Sequence, residues 1–335
     1  MSALEVLSVG TVVTIQDRGR PGYLERGLSA GGAVDPVALD EGAVLLGDDP
    51  EAAVLEMAGF GGRFRARDDC VLALTGAEMV AEIDGQPVPH ACGFILPRGA
   101  VLSIKGARSG SYGYLRLGGG IDAPVTLGGR ATHLAVGFGR LLAPGDVLRS
   151  VTPGAGTPGW SLTPDPRFEG GTLRMLPGPQ TGAFDPAMRE RFEATAFRKS
   201  TRASRSSAQL DHDGAPFHAD GQLSAVSEAI LPGDIQIVAS GTPFVLLTEC
   251  QTTGGYPRMG SVISADLPKL VQAQPGTGTQ LKFVTRDEAL AARETPQARR
   301  ARLMRSRRRL VRDPADIADL LAYQLVGGVT DGEVE

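Results

Sequence analysis

The chain has 335 residues and a formal net charge of −4, so two domains of roughly 150 residues each are expected. This mildly acidic balance gives no reason to expect nucleic acid or an anionic membrane as a partner. No apolar run reaches the ~18 residues that span a bilayer, and the first residues lack the basic and apolar regions of a signal peptide, which together predict a cytoplasmic protein.

Glycine and proline punctuate the whole chain. The 45 glycines and 23 prolines separate short apolar runs, a pattern typical of many short strands joined by tight turns. We therefore predict a mainly β fold with some helices. The three cysteines show no CxxC spacing and the four histidines are scattered, so neither a disulfide framework nor a metal site is predicted.

In the first half, strand-like runs bounded by Gly, Asp or Pro are predicted at residues 11–15, 71–74, 80–83, 101–104 and 112–117. A helix is predicted between the first two, because Asp35 can cap it, Pro36 suits its first position and Gly47 can close its end. The same Asp-Pro opening recurs at residues 185–186 and 313–314. Pro- and Gly-rich residues 150–171 then predict a boundary, which places a first β-rich domain at residues 1–160.

The second half repeats this pattern. Strands at residues 173–176, 235–238, 244–248 and 280–284, with a helix at about 265–273 capped by Ser264, predict a second β-rich domain at residues 172–288. Eight arginines between Arg299 and Arg312 then predict a basic amphipathic arm that packs on the body or docks to an acidic partner. With a final amphipathic helix at 317–325, residues 289–335 are predicted as a C-terminal helical extension.

Several common enzyme motifs are missing. Residues 154–159 fit GxGxxG, but a Pro-rich loop follows them instead of a helix. No lysine follows a glycine, as a Walker loop requires, and no GxSxG elbow occurs. No lysine neighbours a methionine, so the Met-Lys-Met signal for biotin attachment is absent. Any ATP is therefore expected to be bound unconventionally or by a partner subunit, and no biotin is expected on this chain.

A dense polar segment follows the apolar strand at 244–248. Residues 251–258 read QTTGGYPR. An amide substrate offers a carbonyl acceptor and an N–H donor, which Gln and Thr side chains can match, and glycines let backbone N–H groups approach a developing oxyanion. Arg258 can pair with a carboxylate in bidentate fashion. A polar β-turn with a Gly-Gly bulge explains the same residues without any chemistry.

The identity of the residues in this polar segment favours a functional site over a simple turn. The string QTTGGYPRMGSVISADL at residues 251–267 resembles the signature of a family that includes the C subunit of 5-oxoprolinase, allophanate hydrolase subunit 2, and the carboxyltransferase domain of urea amidolyase. Segments that agree with this family, in the same order, lie at residues 14–23, 31–35, 74–79, 106–122, 176–180 and 231–236. The resemblance implies two cyclophilin-like β-barrel domains with an active cleft between them.

The resemblance also implies roles for individual residues. Catalytic contacts are expected from Gln251, Thr252, Thr253 and Tyr256, and substrate contacts from Arg258, Arg202, Ser200, Gln236, Gln180 and Asp266. Gln16, Asp17 and Arg20 are expected either to line the cleft or to fix the turn before Pro21. One segment departs from the family: residues 200–205 read STRASR where a run such as Ser-Asn-Arg-Met-Gly-Tyr is usual, which removes a glycine.

Three functions are compatible with this sequence. The first is a subunit of an ATP-dependent 5-oxoprolinase-type amide (lactam) hydrolase that acts with a B-type partner subunit and, in a larger complex, an A-type subunit. The second is a carboxyltransferase component that moves a carboxyl group from carboxybiotin to urea or a related small amide. The third is a regulatory protein that binds a kinase-inhibitor-like partner. The polar cluster at 251–266 favours chemistry, whereas the altered pair Ala203-Ser204 favours binding.

Overall fold

The structure is a computed structural model that describes residues 2–163, 166–219 and 226–311. The helix predicted at 317–325 and the Asp-Pro pair at 313–314 lie outside the described residues. The strands, in chain order, are β1 (Ala3–Val9), β2 (Val13–Gln16), β3 (Val54–Ala58), β4 (Phe60–Ala66), β5 (Cys70–Ile83), β6 (Gln86–Val88), β7 (Cys92–Leu96), β8 (Val101–Leu117), β9 (Val147–Arg149), β10 (Trp160–Ser161), β11 (Gly171–Leu176), β12 (Phe197–Ala203), β13 (Ser207–Asp211), β14 (Glu228–Ala229), β15 (Asp234–Ile237), β16 (Pro243–Leu246), β17 (Thr253–Gly254), β18 (Arg258–Val262), β19 (Gly278–Phe283) and β20 (Arg308–Arg309).

The described ranges contain fewer α-helices than strands. The helices are α1 (Pro36–Leu46), α2 (Pro186–Ala194), α3 (Leu267–Gln272), α4 (Arg286–Ala291) and α5 (Pro296–Ser306). The caps predicted for α1 are confirmed: the Asp35 carboxylate accepts a hydrogen bond from Val37 N, and Gly47 ends the helix in the left-handed conformation at φ +67°. Helix α2 likewise begins after Asp185, whose side chain accepts from Met188 N. Helix α3 begins after Asp266 rather than after the predicted cap, Ser264.

The first half forms one large antiparallel sheet. Its main path runs β20-β10-β7-β5-β8-β4-β1-β9, with β2, β3 and β6 attached to it. Two pairs of predicted strands merge into the long strands β5 and β8, which pair with each other through three register shifts. Gly76 lies at the first shift, at φ +73°, where a Cβ atom would stand 2.5 Å from Tyr112 O. Such glycines break the apolar pattern without ending the strand.

The second half forms a closed barrel in the order β11-β18-β15-β16-β13-β12-β19. Its core contains Phe184, Phe192, Phe197 and Phe217, and the same cluster extends to Tyr114 of β8, whereas the large sheet also has an apolar core of its own. The predicted mainly β class is confirmed, with one closed barrel and one large sheet. The limits predicted for the domains, 1–160, 172–288 and 289–335, stay predictions.

The basic arm lies on the body of the protein. Leu303 of α5 is buried against Val44 and Leu45 of α1, and β20 extends the large sheet by pairing with β10. Arg299 and Arg300 both contact the fully buried carboxylate of Asp40, at 3.0 and 3.1 Å. Charge pairing therefore holds the inner face of the arm, in addition to the apolar packing that its sequence pattern predicts.

Asp40 should be essential for docking the arm. Asp40→Asn removes the carboxylate shared by Arg18, Arg299 and Arg300. We expect it to lower the free energy of unfolding in urea by about 3 kcal/mol, because three partly buried cations lose the buried carboxylate that they share. Asp213→Asn, which breaks the exposed pair with Arg198, is the control and should change stability little. Equal losses in the two variants would show that Asp40 has no special part in docking.

Candidate functional site

The polar segment at residues 251–258 bridges two barrel strands on the surface of the second half. It leaves β16 and enters β18, and on the way Thr253 and Gly254 form β17, which pairs with β14 in a two-stranded ribbon. Gln251, Thr253 and Tyr256 are exposed, whereas Thr252 is half-buried. Of the predicted catalytic residues, Thr253 therefore lies on this ribbon, and Gln251, Thr252 and Tyr256 lie directly beside it.

One end of this segment lies against the first half. Gly31 N donates to Thr248 O at 3.2 Å, and Thr248 Oγ1 donates back to Gly31 O. A Cβ atom at Gly27 would lie 4.0 Å from Thr252 Oγ1, so the loop at residues 24–32 reaches the start of the polar segment. This contact brings the start of the segment against the first half, and the cleft expected between the halves stays a prediction.

At the other end of the segment, three predicted substrate-binding residues come together. Gln180 Oε1 accepts from Arg258 N at 3.0 Å and from Arg258 Nε at 3.3 Å. Gln236 lies opposite Arg258 in the pairing of β15 with β18. Its Nε2 is buried and, among the described residues, has no acceptor; a Cβ atom at Gly254 would stand 2.5 Å from it. A buried donor without an acceptor needs an explanation, and an oxygen atom of a ligand that entered beneath Gly254 would satisfy it.

Arg258 already has protein partners for its whole guanidinium. Nη1 donates to Ala229 O at 2.8 Å and to Asp234 Oδ2 at 3.1 Å, and Nη2 pairs with Glu228. Asp234 is mostly buried, whereas the Glu228 side chain is 45% exposed. A substrate carboxylate would therefore reach the guanidinium by displacing Glu228, the more accessible of its two carboxylate partners.

Three other predicted substrate contacts lie elsewhere. Asp266 is fully buried and accepts three bonds from Arg174 and one from Lys269. Burial acts to raise the pKa of Asp266, but these bonds outweigh it and hold the pKa below its ordinary value, so the carboxylate fixes α3. Ser200 and Arg202 are on β12, which β13 and β16 separate from β15. The structure thus joins Gln180, Gln236 and Arg258 but not these three.

Arg205 is a residue that sequence reasoning missed. It is buried, its Nε donates to Glu249 at 2.7 Å, and its Nη2 donates to Gly32 O at 2.6 Å, while Nη1 pairs with Glu56. Burial alone would lower the pKa of Arg205, but the two carboxylates raise it, so the side chain stays charged. Arg205 therefore connects the large sheet, the loop at 24–32 and the start of the polar segment.

A serine and a histidine also meet beside this connection. Ser29 Oγ lies 2.9 Å from His133 Nε2, and both residues are buried. Burial is the main cause that lowers the pKa of His133, which favours the neutral imidazole, a form able to accept a proton. Sequence reasoning found no serine that it could tie to a histidine, and the separation of 104 residues explains why.

The early polar residues brace loops of the first half. Asp17 accepts from Gly19 N at 2.7 Å, and Arg20 donates to the carbonyl oxygens of Thr126, Gly129 and Ala131. Gln16 donates to Thr14 and to Thr132 O. Of the two roles expected for Gln16, Asp17 and Arg20, these bonds support the structural one, which is to fix the turn before Pro21.

Metal-binding clusters and membrane-spanning helices are both missing from the described part of the chain. Residues 2–163, 166–219 and 226–311 contain no group of three or more His, Cys, Asp or Glu side chains that could hold a metal ion. In the same ranges, no helix combines the length and the apolar character that crossing a membrane requires. The three cysteines are unpaired and buried, and burial raises the pKa of each thiol.

Sequence comparisons give the relatives of this chain. The family model of the carboxyltransferase domain, subdomain A and B, matches residues 26–285. The C subunit of 5-oxoprolinase from Escherichia coli is 33% identical over 301 residues, which cover 88% of this chain and 95% of that protein. The protein of the same name from Haemophilus influenzae is 30% identical over 294 residues, which cover 87% of this chain and 94% of that protein. Urea amidolyase of Saccharomyces cerevisiae is 32% identical over 152 residues, 44% of this chain and 8% of that protein.

Solved structures agree with these relatives. The crystal structure of TTHA0988 superimposes with a TM-score of 0.77 at 32% identity and covers 84% of this chain, which spans only 56% of that chain. Urea amidolyase of K. lactis superimposes with a TM-score of 0.75 at 22% identity, over 86% of this chain and 19% of that one, and shows the shared fold. Because the family model matches most of its length and two relatives match it nearly end to end, this chain belongs to the carboxyltransferase domain family, subdomain A and B.

Proposed function

We propose that this chain is the C-type subunit of an ATP-dependent 5-oxoprolinase that opens the lactam of 5-oxoproline in the cytoplasm. The similarity to two 5-oxoprolinase C subunits, which extends over 95% and 94% of their lengths, supports this assignment. In this proposal the active site is completed by a B-type partner, an A-type subunit joins the complex, and ATP is bound by the partners or shared with them. This chain carries no biotin.

The observation that carries the proposal is the unpaired Nε2 of Gln236 beneath Gly254. The lactam oxygen of 5-oxoproline can accept the hydrogen bond for which this donor has no partner among the described residues. As the amide carbon is attacked, negative charge grows on that oxygen, and a fixed donor stabilises the developing oxyanion more than the ground-state carbonyl. Gln251, Thr252, Thr253 and Tyr256 on the ribbon then bind the lactam N–H and the attacking water.

The carboxylate of 5-oxoproline is assigned to Arg258, because the second candidate from the sequence, Arg202, lies on β12, away from Gln236. Gln180 holds Arg258 by two hydrogen bonds, so the guanidinium is fixed beside Gln236. Exchange of the exposed Glu228 for the substrate carboxylate keeps the charge balance of the site unchanged. Lysine retains the charge but not the planar fork that binds both oxygens of a carboxylate.

A second function is favoured by the similarity to urea amidolyase over 152 residues. In that case the same Gln236 donor binds urea or a related amide, and a carboxyl group arrives on carboxybiotin carried by another chain. Urea has no carboxylate, so Arg258 would have no ligand to bind. In the third function, the chain acts as a regulator. It binds a kinase-inhibitor-like partner in place of the B-type subunit and turns over no substrate.

Reconstitution separates these functions. The purified chain alone should show no ATP-dependent conversion of 5-oxoproline to glutamate, and addition of B-type and A-type subunits should restore it, measured as paired release of ADP and glutamate. A requirement for a biotinylated carrier would favour carboxyl transfer. Turnover by the single chain would contradict the need for a partner, and no turnover by the complete set would favour the regulatory function.

Gln236→Leu tests the oxyanion donor. In the assembled complex we expect kcat to fall about 100-fold, as for loss of one oxyanion-hole donor, with the melting temperature unchanged because the lost N–H has no acceptor among the described residues. The control is Gln280→Leu, which removes a bond to Glu193 O and should affect stability but not kcat. An unchanged kcat in Gln236→Leu would remove this residue from the site.

Arg258→Lys tests the carboxylate assignment. We expect KM for 5-oxoproline to rise at least about tenfold, since one charge-assisted bond is worth about 1.5–3 kcal/mol. The melting temperature should fall as well, because lysine cannot keep all the bonds that the guanidinium makes to the protein, so KM is the deciding measurement. Glu228→Gln should act in the opposite direction and lower KM, because it removes the competing carboxylate. If Arg258 only braces the ribbon, Arg258→Lys will lower the melting temperature and leave KM unchanged.

A further inference from the structure

A cavity lies between the two halves of the protein. Its volume is about 350 Å³, within the range of sites for small molecules. Ser111 and Tyr112 of β8 line it from the first half, and Lys199 and Thr201 of β12 line it from the barrel, with Gln274 from the loop after α3. No Asp or Glu is among its lining residues.

Lys199 is the unusual member of this lining. It is 4% exposed, and its Nζ donates to Val271 O at 2.8 Å and to Ala273 O at 2.7 Å. In the ranges that the structure describes, no carboxylate lies within ion-pair distance of Nζ. Arg116, Arg167 and Arg205 are buried to a similar degree, and each of them contacts at least one carboxylate.

A buried ammonium group without a counter-ion is costly. Transfer of an unpaired charge out of water is strongly unfavourable, and two backbone carbonyl oxygens at the end of α3 offset only part of that cost. Burial accordingly lowers the pKa of Lys199 to about 8. The group is therefore still mainly charged at neutral pH, and an anion beside it would recover the missing ion pair.

The other polar groups of the cavity also suit an anion. Burial, together with the nearby Glu56, raises the pKa of Tyr112 to about 12, so its hydroxyl group remains a donor. Thr201 is exposed and offers a second hydroxyl group. A cavity with one cation, two hydroxyl donors and no carboxylate attracts small anions and disfavours cations.

From this combination we propose that the cavity between the halves binds a small organic carboxylate, with Lys199 as its counter-ion. This site is distinct from the one proposed around Gln236 and Arg258, because β12 is separated from β15 and β18 in the barrel. The competing explanation is that Lys199 only caps the carbonyl end of α3, in which case charge on a ligand is irrelevant.

Titration calorimetry on the purified chain tests the proposal with a matched pair of probes. 5-Oxoproline carries a carboxylate, and 2-pyrrolidinone is the same ring without it; succinate is a second anionic probe. We expect at least one anionic probe to bind at millimolar concentration and 2-pyrrolidinone to bind at least about tenfold more weakly, a difference of about 1.4 kcal/mol. Lys199→Met, which replaces the charge by an unbranched apolar chain, should weaken anion binding by at least the same factor.

Two variants complete the experiment. Lys282→Met, the same change on β19, should bind as the parent does, and Thr201→Val should bind more weakly even if Lys199→Met fails to fold. Equal binding by Lys199→Met and the parent, equal binding of 2-pyrrolidinone, or no anion binding at all would each overturn the proposal.

Discussion

The guanidinium of Arg205 holds the sheet, the barrel and the candidate site in one arrangement. It pairs with Glu56 of the large sheet and Glu249 of the barrel, and donates to Gly32 O in the loop between them. Glu56 has two further donors, Tyr114 OH at 2.8 Å and Val34 N at 2.9 Å. A buried ion network is stable only when every charged group in it keeps its ion pairs and hydrogen bonds. This network therefore permits few relative positions of the large sheet and the barrel.

This constraint reaches the site through the backbone. Glu249 precedes the polar segment at 251–258 by two residues, and Gly32 ends the loop at 24–32 that lies against it. The same guanidinium therefore fixes both sides of the contact that begins the segment. The far end is held independently, because Gln180 and Arg258 both belong to the barrel half. Chemistry on the ribbon thus depends on the interface between halves as much as on the barrel.

Local signals in the sequence were sufficient for part of this structure. The caps of α1, the onset of α2 and most predicted strands depend on neighbouring residues and could be predicted, and residue identity located the segment at 251–258. Pairings across long separations could not be predicted. Arg205 and Arg202 are both polar residues near the end of β12, and only the fold decides which of them is buried against Glu56. For the same reason the partner of the basic arm, Asp40, and the pair Ser29–His133 became visible only in the structure.

Charge pairing also distinguishes the two ligand sites that the chain offers. At Arg258 the protein supplies carboxylates of its own, so a ligand must exchange with one of them and gains little net Coulomb energy. At Lys199 the protein supplies only carbonyl oxygens, and a carboxylate there adds an ion pair that the free protein lacks. Gln236 adds a neutral donor that is indifferent to the charge of the ligand and selective for a carbonyl oxygen. Under these two proposals, recognition of the amide and recognition of the acid are separate physical problems, met by different strands of one barrel.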